Sequence, residues 1–299
     1  MIVETHDLWK TFRRFGALQG LSLRVPEGSV FALVGANGAG KTTTIKILMN
    51  IIRPTTGSAR VLGVDTRRLS PAEIARIGYV SETQEMPPRM TVAGYLDYLR
   101  PFYPNWDRNI ETSLLEQFGL PPDRKLKDLS HGMRLKTALV CALPFRPKLL
   151  VLDEPFSGLD PLARDELLDG LLRETRETTI LISSHELAEI EDLTTDVAFV
   201  DRGRLLFQEP ISDLKARLRR VHVTLGANAP SPARLPPEWL EPSLTGNVLT
   251  FVDTRFSETT IGPRVNAVLG AVVGLDAQPI ALRSIYTALA RAARAEPTL

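Results

Sequence analysis

The sequence predicts an α/β fold built on a mostly parallel sheet, and three observations carry that expectation. The apolar run Val30-Phe31-Ala32-Leu33-Val34 passes straight into the glycine-rich Gly35-Ala36-Asn37-Gly38-Ala39-Gly40 and then into the helical Thr44–Met49. From about Gly132 to Ile182, helical stretches alternate with short apolar runs, the spacing of β-α-β units. After Leu214 the character changes: five prolines stand between Asn228 and Pro242 (230, 232, 236, 237 and 242). The final stretch of roughly 80 residues therefore reads as a separate small α/β domain.

Taken in order, Val3 to Leu8, Leu21 to Val25 and Val30 to Val34 read as strands, with Pro26-Glu27-Gly28 as a turn. Ile77-Gly78-Tyr79-Val80 is another short strand. From Thr91 to Phe118 the pattern is helical, with Val92, Tyr95, Leu96 and Leu99 at i, i+3, i+4, i+7 spacing before Pro101 stops the first helix. Pro121-Pro122 closes this block, which interrupts the alternation and is expected as an inserted helical subdomain over about 85–145. A helix from about Gly132 to Leu143, the strand Leu149–Leu152, a helix over Leu162 to Thr175 and the strand Thr179–Ile182 follow. In the last domain, strands are expected at Val221 to Leu225 and Val248 to Val252. Helices are expected at Phe256 to Leu269 and Ile280 to Arg294, the second with Leu282, Ile285, Tyr286 and Leu289 on one face. The expected division is 1–215 and 216–299.

Composition narrows the partners. The 299 residues are 43% hydrophobic, ample for a packed core, and carry 36 basic against 35 acidic side chains, a formal net charge of +1. No global field recruits nucleic acid or anionic lipid, and the cluster Lys215, Arg217, Arg219, Arg220 reads as a solvated helix end. Cys141 is the only cysteine, set in the apolar Leu139-Val140-Cys141-Ala142-Leu143, and reads as a small buried hydrophobe. The N-terminus lacks the basic start and apolar run of a signal peptide, and no apolar stretch approaches the ~18 residues of a spanning helix. A cytoplasmic protein is expected, reaching a membrane only through a partner.

The motif Gly-Ala-Asn-Gly-Ala-Gly-Lys-Thr-Thr at 35–43, placed after a strand and before a helix, is a phosphate-binding loop. Gly35, Gly38 and Gly40 let the backbone turn tightly and aim N–H groups at phosphate oxygens. Lys41 brings a full positive charge to the β- and γ-phosphates, and the Thr42 hydroxyl suits Mg²⁺. The chain thus binds a nucleoside triphosphate. The run Leu149-Leu150-Val151-Leu152-Asp153-Glu154 ends in two carboxylates that can face this loop across the crevice of an α/β sheet: Asp153 suits the Mg²⁺ shell, Glu154 the polarisation of an attacking water.

Five motifs in order complete the pattern, and with them the sequence resembles the ATP-binding subunit of ATP-binding cassette transporters over about residues 2–215. Besides the phosphate loop and the Asp153-Glu154 strand, Leu129-Ser130-His131-Gly132-Met133 looks like the family signature. Ser157-Gly158-Leu159-Asp160 looks like its dimer-contact loop, and Ser183-Ser184-His185 like its switch histidine. The resemblance implies a P-loop NTPase cassette: a mostly parallel core sheet, an N-terminal antiparallel β subdomain, the helical insert and the small C-terminal α/β domain. It implies ATP contacts from Phe12 (base stacking), Gly35, Asn37, Gly38, Gly40, Lys41, Thr42 and Thr43. Mg²⁺ falls to Thr42 and Asp153, catalysis to Glu154 and His185, and contacts across a dimer to Ser130, Gly132 and Asp160. Phe12 and Phe15 equally suit core positions. Two departures stand out. His131 and Met133 replace a glycine and a glutamine of the signature, and the usual position of the glutamine loop holds Glu82, with Gln84 two residues on.

The resemblance further implies ATP hydrolysis, a head-to-tail pair of cassettes (homodimer or heterodimer), and a separately encoded multi-spanning permease at the inner face of the cell membrane. The insert, with Tyr95, Tyr98, Phe102, Tyr103 and Trp106, is its expected docking face; the alternative is a locally buried aromatic cluster. The tail around Gln278–Tyr286 is similar to those of bacterial exporter cassettes for drugs, peptides or envelope components. The rival reading is a soluble, non-transport cassette acting on nucleic acid or ribosomes; no nucleic-acid partner is expected, because the chain has neither a coiled-coil insertion nor a second cassette.

Overall fold

The computed structural model describes residues 1–175, 177–186, 190–226, 235–270 and 272–295. It comprises two compact units. One holds Met1–His185 with Asp192–Gln208; the other holds Glu186–Glu191 and the chain from Glu209 onward. The boundary expected at 215/216 would cut a helix, Ile211–Arg217, which the division at 208/209 keeps whole.

The first unit opens on an antiparallel layer. β1 (Val3–Phe12) folds back on β2 (Phe15–Leu21), and β3 (Arg24–Val25) pairs with the start of β1. The strand expected at Leu21–Val25 is thus two, and β2 was not anticipated. β4 (Val30–Val34) leads through residues 35–40 into α1 (Lys41–Leu48). β5 (Thr56–Val61) then returns to β1, and β6 (Val64–Asp65) extends the layer to the order β2-β1-β5-β6. α2 (Pro71–Ile74) precedes β7 (Ile77–Ser81), and the insert contributes α3 (Val92–Leu99), α4 (Arg108–Gln117) and α5 (His131–Ala142). The chain re-enters the sheet through β8 (Leu149–Asp153), α6 (Pro161–Glu174), β9 (Thr179–Ser184), β10 (Asp196–Asp201) and β11 (Arg204–Pro210).

The central sheet runs β11-β10-β4-β9-β8-β7, and every pairing from β10 to β7 is parallel. β8 and β9 are buried at every position, as strands covered on both faces must be, which is why they read as continuous apolar runs. Register places Val34 beside Ser184 and Asp153 beside Ser183. Gly35, Glu154 and His185 therefore leave three adjacent parallel strands at one carboxyl edge, where α/β sheets place their ligands.

Inside the insert, Glu111 is buried and held by the Arg100 guanidinium (Nε–Oε2 2.8 Å, Nη2–Oε1 2.6 Å) and by the Trp106 indole N–H (2.6 Å). Cys141 is buried in α5, and burial, reinforced by the Glu111 charge, pushes its thiol pKa up.

In the second unit, α7 (Ile211–Arg217) precedes a four-stranded antiparallel sheet of order β13-β14-β12-β15, formed by β12 (Arg219–Leu225), β13 (Trp239–Thr245), β14 (Val248–Asp253) and β15 (Val272–Pro279). α8 (Ile261–Leu269) connects β14 to β15, which flank β12 and run parallel to each other; α9 (Leu282–Ala295) follows. Val221, Val223, Trp239, Phe251, Ile261 and Val265 make one core, with Trp239 stacked on Phe251 at 4.1 Å. Pro242 sits on the edge strand β13 at a register irregularity beside Glu241 (φ 49), where no ladder hydrogen bond is lost to it. The prolines at 230 and 232 lie outside the described residues.

Candidate functional site

The phosphate-loop geometry is enforced by its neighbours. A Cβ at Gly35 would lie 2.3 Å from the Val200 carbonyl oxygen; one at Gly40 would lie 2.7 Å from the Leu18 side chain, and Gly40 also adopts φ 109. Only glycine fits both places. Gly40 stands at the N-cap of α1, and no side chain caps that helix. α2 to α6 each have a cap, from Ser70, Thr91, Asp107, Ser130 and Asp160 respectively. The opening N–H groups of α1 and the positive end of its dipole form an anion site. Asn37 and Gly38 are exposed on the loop, and Thr43 is half-buried.

Around this loop the three strand ends converge. The Lys41 ammonium, 5% exposed, donates to the Gly35 carbonyl at 2.6 Å and pairs with Glu154 Oε1 at 3.0 Å. Nδ1 of His185 donates to Glu154 Oε2 at 2.8 Å. Thr42 Oγ1 donates to Asp153 Oδ1 at 3.1 Å, and the Ser183 hydroxyl donates to the same oxygen at 2.7 Å while accepting the Glu154 N–H at 3.0 Å. Burial raises the Asp153 pKa against the pull of Ser183 and Thr42. For Glu154 burial also pushes upward, but the His185 and Lys41 hydrogen bonds outweigh it, and the carboxyl stays below the usual glutamate range. Ser183 is the residue that motif reading passed over. Its signal was present in Ser183-Ser184-His185, but its two bonds to the β8 terminus exist only once β8 and β9 are paired.

Thr42 and Asp153 present hard oxygen donors within 3.1 Å of each other, the kind of set Mg²⁺ shares with phosphate oxygens and water. Among the described residues no cluster of three or more His, Cys, Asp or Glu could hold a metal ion by itself.

Ser130, Gly132 and Asp160 form a second group. Ser130 Oγ accepts the Met133 N–H at 3.2 Å and keeps its own proton to donate; Asp160 caps α6 through the Ala163 N–H at 2.9 Å. Gly132 faces Leu159, with 3.5 Å between its would-be Cβ and Leu159 Cδ2. Glu82 is exposed and its N–H donates to the Asp153 carbonyl at 3.1 Å, whereas Gln84 turns its side chain back to accept the Ser81 N–H at 3.4 Å. Both line a cleft of about 500 Å³ that continues along Met86, Leu126, His131 and Arg134.

The aromatics of the insert divide. Tyr98 and Phe102 are 55% and 60% exposed and in contact (centroids 5.5 Å), while Tyr103 stacks at 4.1 Å on the buried Phe145, beside Trp106. Phe12 is also exposed, near the turn of the β1–β2 hairpin, with the Lys10 ammonium 4.8 Å from its ring centre; neither it nor Phe15 is a core residue. No helix of the described residues is long and apolar enough to cross a membrane.

Comparison with known proteins agrees with this geometry. The family model described as ABC transporter matches residues 18–157. The chain is 34% identical over 224 residues to the bacitracin transport ATP-binding protein BcrA of Bacillus licheniformis, covering 73% of each chain. It is 32% identical over 290 residues to the daunorubicin resistance ATP-binding protein DrrA3 of Streptomyces coeruleorubidus, covering 91% of this chain and 89% of that one. A solved structure of an ATP-binding subunit of an ABC transporter superposes with a TM-score of 0.66 at 28% identity, over 72% of this chain and 92% of that one. The match to such subunits over 73–91% of the chain, together with a lysine, two carboxylates and a histidine gathered at one sheet edge around a glycine cradle, identifies the chain as an ATP-hydrolysing, ATP-binding subunit of the ABC transporter family.

Proposed function

We propose that the chain powers a separately encoded membrane permease that exports a drug-like or peptide substrate, with Glu154 as the carboxylate that polarises the attacking water. The observation that carries the catalytic assignment is the convergence of Lys41 and His185 on Glu154 at the end of β8. Lys41 and the N–H groups opening α1 hold the β- and γ-phosphates; Thr42 and Asp153 would hold Mg²⁺, which screens phosphate charge when bound. Ser183 fixes Asp153 and the backbone of Glu154. His185 orients Glu154 and contacts the γ-phosphate, and Phe12 stacks on the adenine. Asn37 and Thr43 complete the phosphate contacts.

Ser130 and Gly132 serve the nucleotide of a second cassette, and Asp160 belongs to the loop that meets it. The permease docks on the insert, where Tyr98 and Phe102 stand exposed and where a cleft runs from Glu82 to Arg134. The drug or peptide class rests on the names of the relatives, one for bacitracin transport and one for daunorubicin resistance. The catalytic assignment is tested by Glu154→Gln. ATP binding is expected to persist while hydrolysis falls by roughly 10²–10⁴-fold, the worth of general-base assistance. Near-normal turnover would remove Glu154 from the role.

A further inference from the structure

Where the family signature has a glycine, this chain has His131, the first residue of α5, and its ring does something a glycine cannot. Nε2 of His131 lies 3.1 Å from the carbonyl oxygen of Ser157. A carbonyl only accepts, so Nε2 carries the proton and donates it. The contact is supported on either side. Gly158, at φ 71, passes so close that a Cβ there would be 4.0 Å from the imidazole, and Gly132 packs against Leu159. Ser157 itself closes a turn on the β8 terminus, its N–H donating to the Glu154 carbonyl at 3.3 Å, and Leu159 N–H closes the next one on Phe156. Glu154 starts this turn at φ 52, a backbone conformation costly for a side-chain-bearing residue and held only by surrounding bonds.

We infer that His131 is a positioning residue that locks the signature to the turn carrying Glu154. Ser130 and Gly132 on one side of the bond and Glu154 on the other then move as one body. On the two-cassette reading above, the first pair grips the partner's nucleotide while Glu154 serves the chain's own. The bond therefore couples the two hydrolytic sites of a closed pair. His131 also lines the cleft that reaches Glu82.

Glutamine can place an amide N–H near the position of Nε2, whereas asparagine is one methylene too short. The experiment compares His131→Gln and His131→Asn in the purified full chain, reading kcat, KM and the Hill coefficient for ATP with Mg²⁺, and melting temperature as a fold control. His131→Asn should lose about tenfold in kcat, with KM unchanged and the Hill coefficient falling toward 1, while His131→Gln stays within about twofold of the parent. Equal kcat and Hill values for the two variants, or a loss confined to KM or to melting temperature, would overturn the inference. The parent and Ser130→Arg separate this from the underlying reading. A parent Hill coefficient above 1 that is lost with activity in Ser130→Arg upholds the two-cassette site. Its absence brings down that site and the coupling together.

Discussion

Glu154 concentrates the physics of the site in one side chain. It is 13% exposed, in a left-handed backbone conformation, and balanced between burial, which favours its neutral form, and hydrogen bonds from His185 and the Lys41 ammonium, which favour its charge. The hydrogen bonds win, so its folded pKa lies below the ordinary 4.5, and the stability it contributes is present above that value and lost as pH falls through the folded pKa. Asp153 acts in the opposite sense: its raised pKa makes ionisation costly to the folded state as pH rises past the ordinary aspartate value. The unfolding free-energy gap between the parent and Glu154→Gln, measured in urea, is expected to hold steady from about pH 7 to 5 and to shrink below about 4.5. A gap unchanged through the acid range would show that Lys41 and His185 do not stabilise the carboxylate. The acidic pair was legible from its place after an apolar run. Its pairing with Lys41 was not, because that contact joins residues over a hundred positions apart and needs the sheet order first.

Among the elements, those with a local signature were legible and those defined by their partners were not. The strand, loop and helix at 30–48 announce themselves through the apolar run, the glycines and the helical stretch after Lys41. β2, β5, β6, β10, β11, β13 and β15 went unanticipated. β5 carries Gly57 at φ 83 against the β1 backbone, β15 carries Gly274 beside a register irregularity, and the half-buried faces of both blur the alternation that marks a strand. The helix expected from Phe256 begins only at Ile261. Structure also separates two residues that spacing could not. Glu82 is tied by its backbone to Asp153 with its side chain exposed, whereas Gln84 spends its side chain closing its own turn. Glu82→Ala should therefore blunt stimulation of ATP turnover by the permease while sparing nucleotide affinity, and Gln84→Ala should cost only the roughly 1 kcal/mol of a lost local hydrogen bond. If stimulation survives Glu82→Ala and disappears in Gln84→Ala, the coupling role moves to Gln84.

At the scale of the whole molecule, the two groups of site residues define a test that a single chain cannot satisfy. Lys41, Thr42 and Asp153 cluster with Glu154, whereas Ser130 caps α5 and the neighbouring His131 and Gly132 face the loop at 157–160. A Ser130→Arg chain and a Lys41→Ala chain should each be inactive alone. Mixed, they leave one composite site, the intact phosphate loop of the first meeting the intact signature of the second, and ATP-dependent dimerisation with part of the hydrolysis should return. Loss of nucleotide binding by a folded Ser130→Arg monomer would instead place the signature in the chain's own site.

The burial of Cys141 has a practical bearing on such work. Its thiol is the chain's only one, packed inside α5 and held in the protonated form that does not attack electrophiles. A cysteine introduced at Tyr98, Phe102 or Leu162, all widely exposed, would be the single thiol open to a maleimide spin label, dye or cross-linker. The native sequence is thus its own cysteine-silent background: opening and closing of the cassettes, or approach of the permease, can be followed by distance measurements without first altering the core.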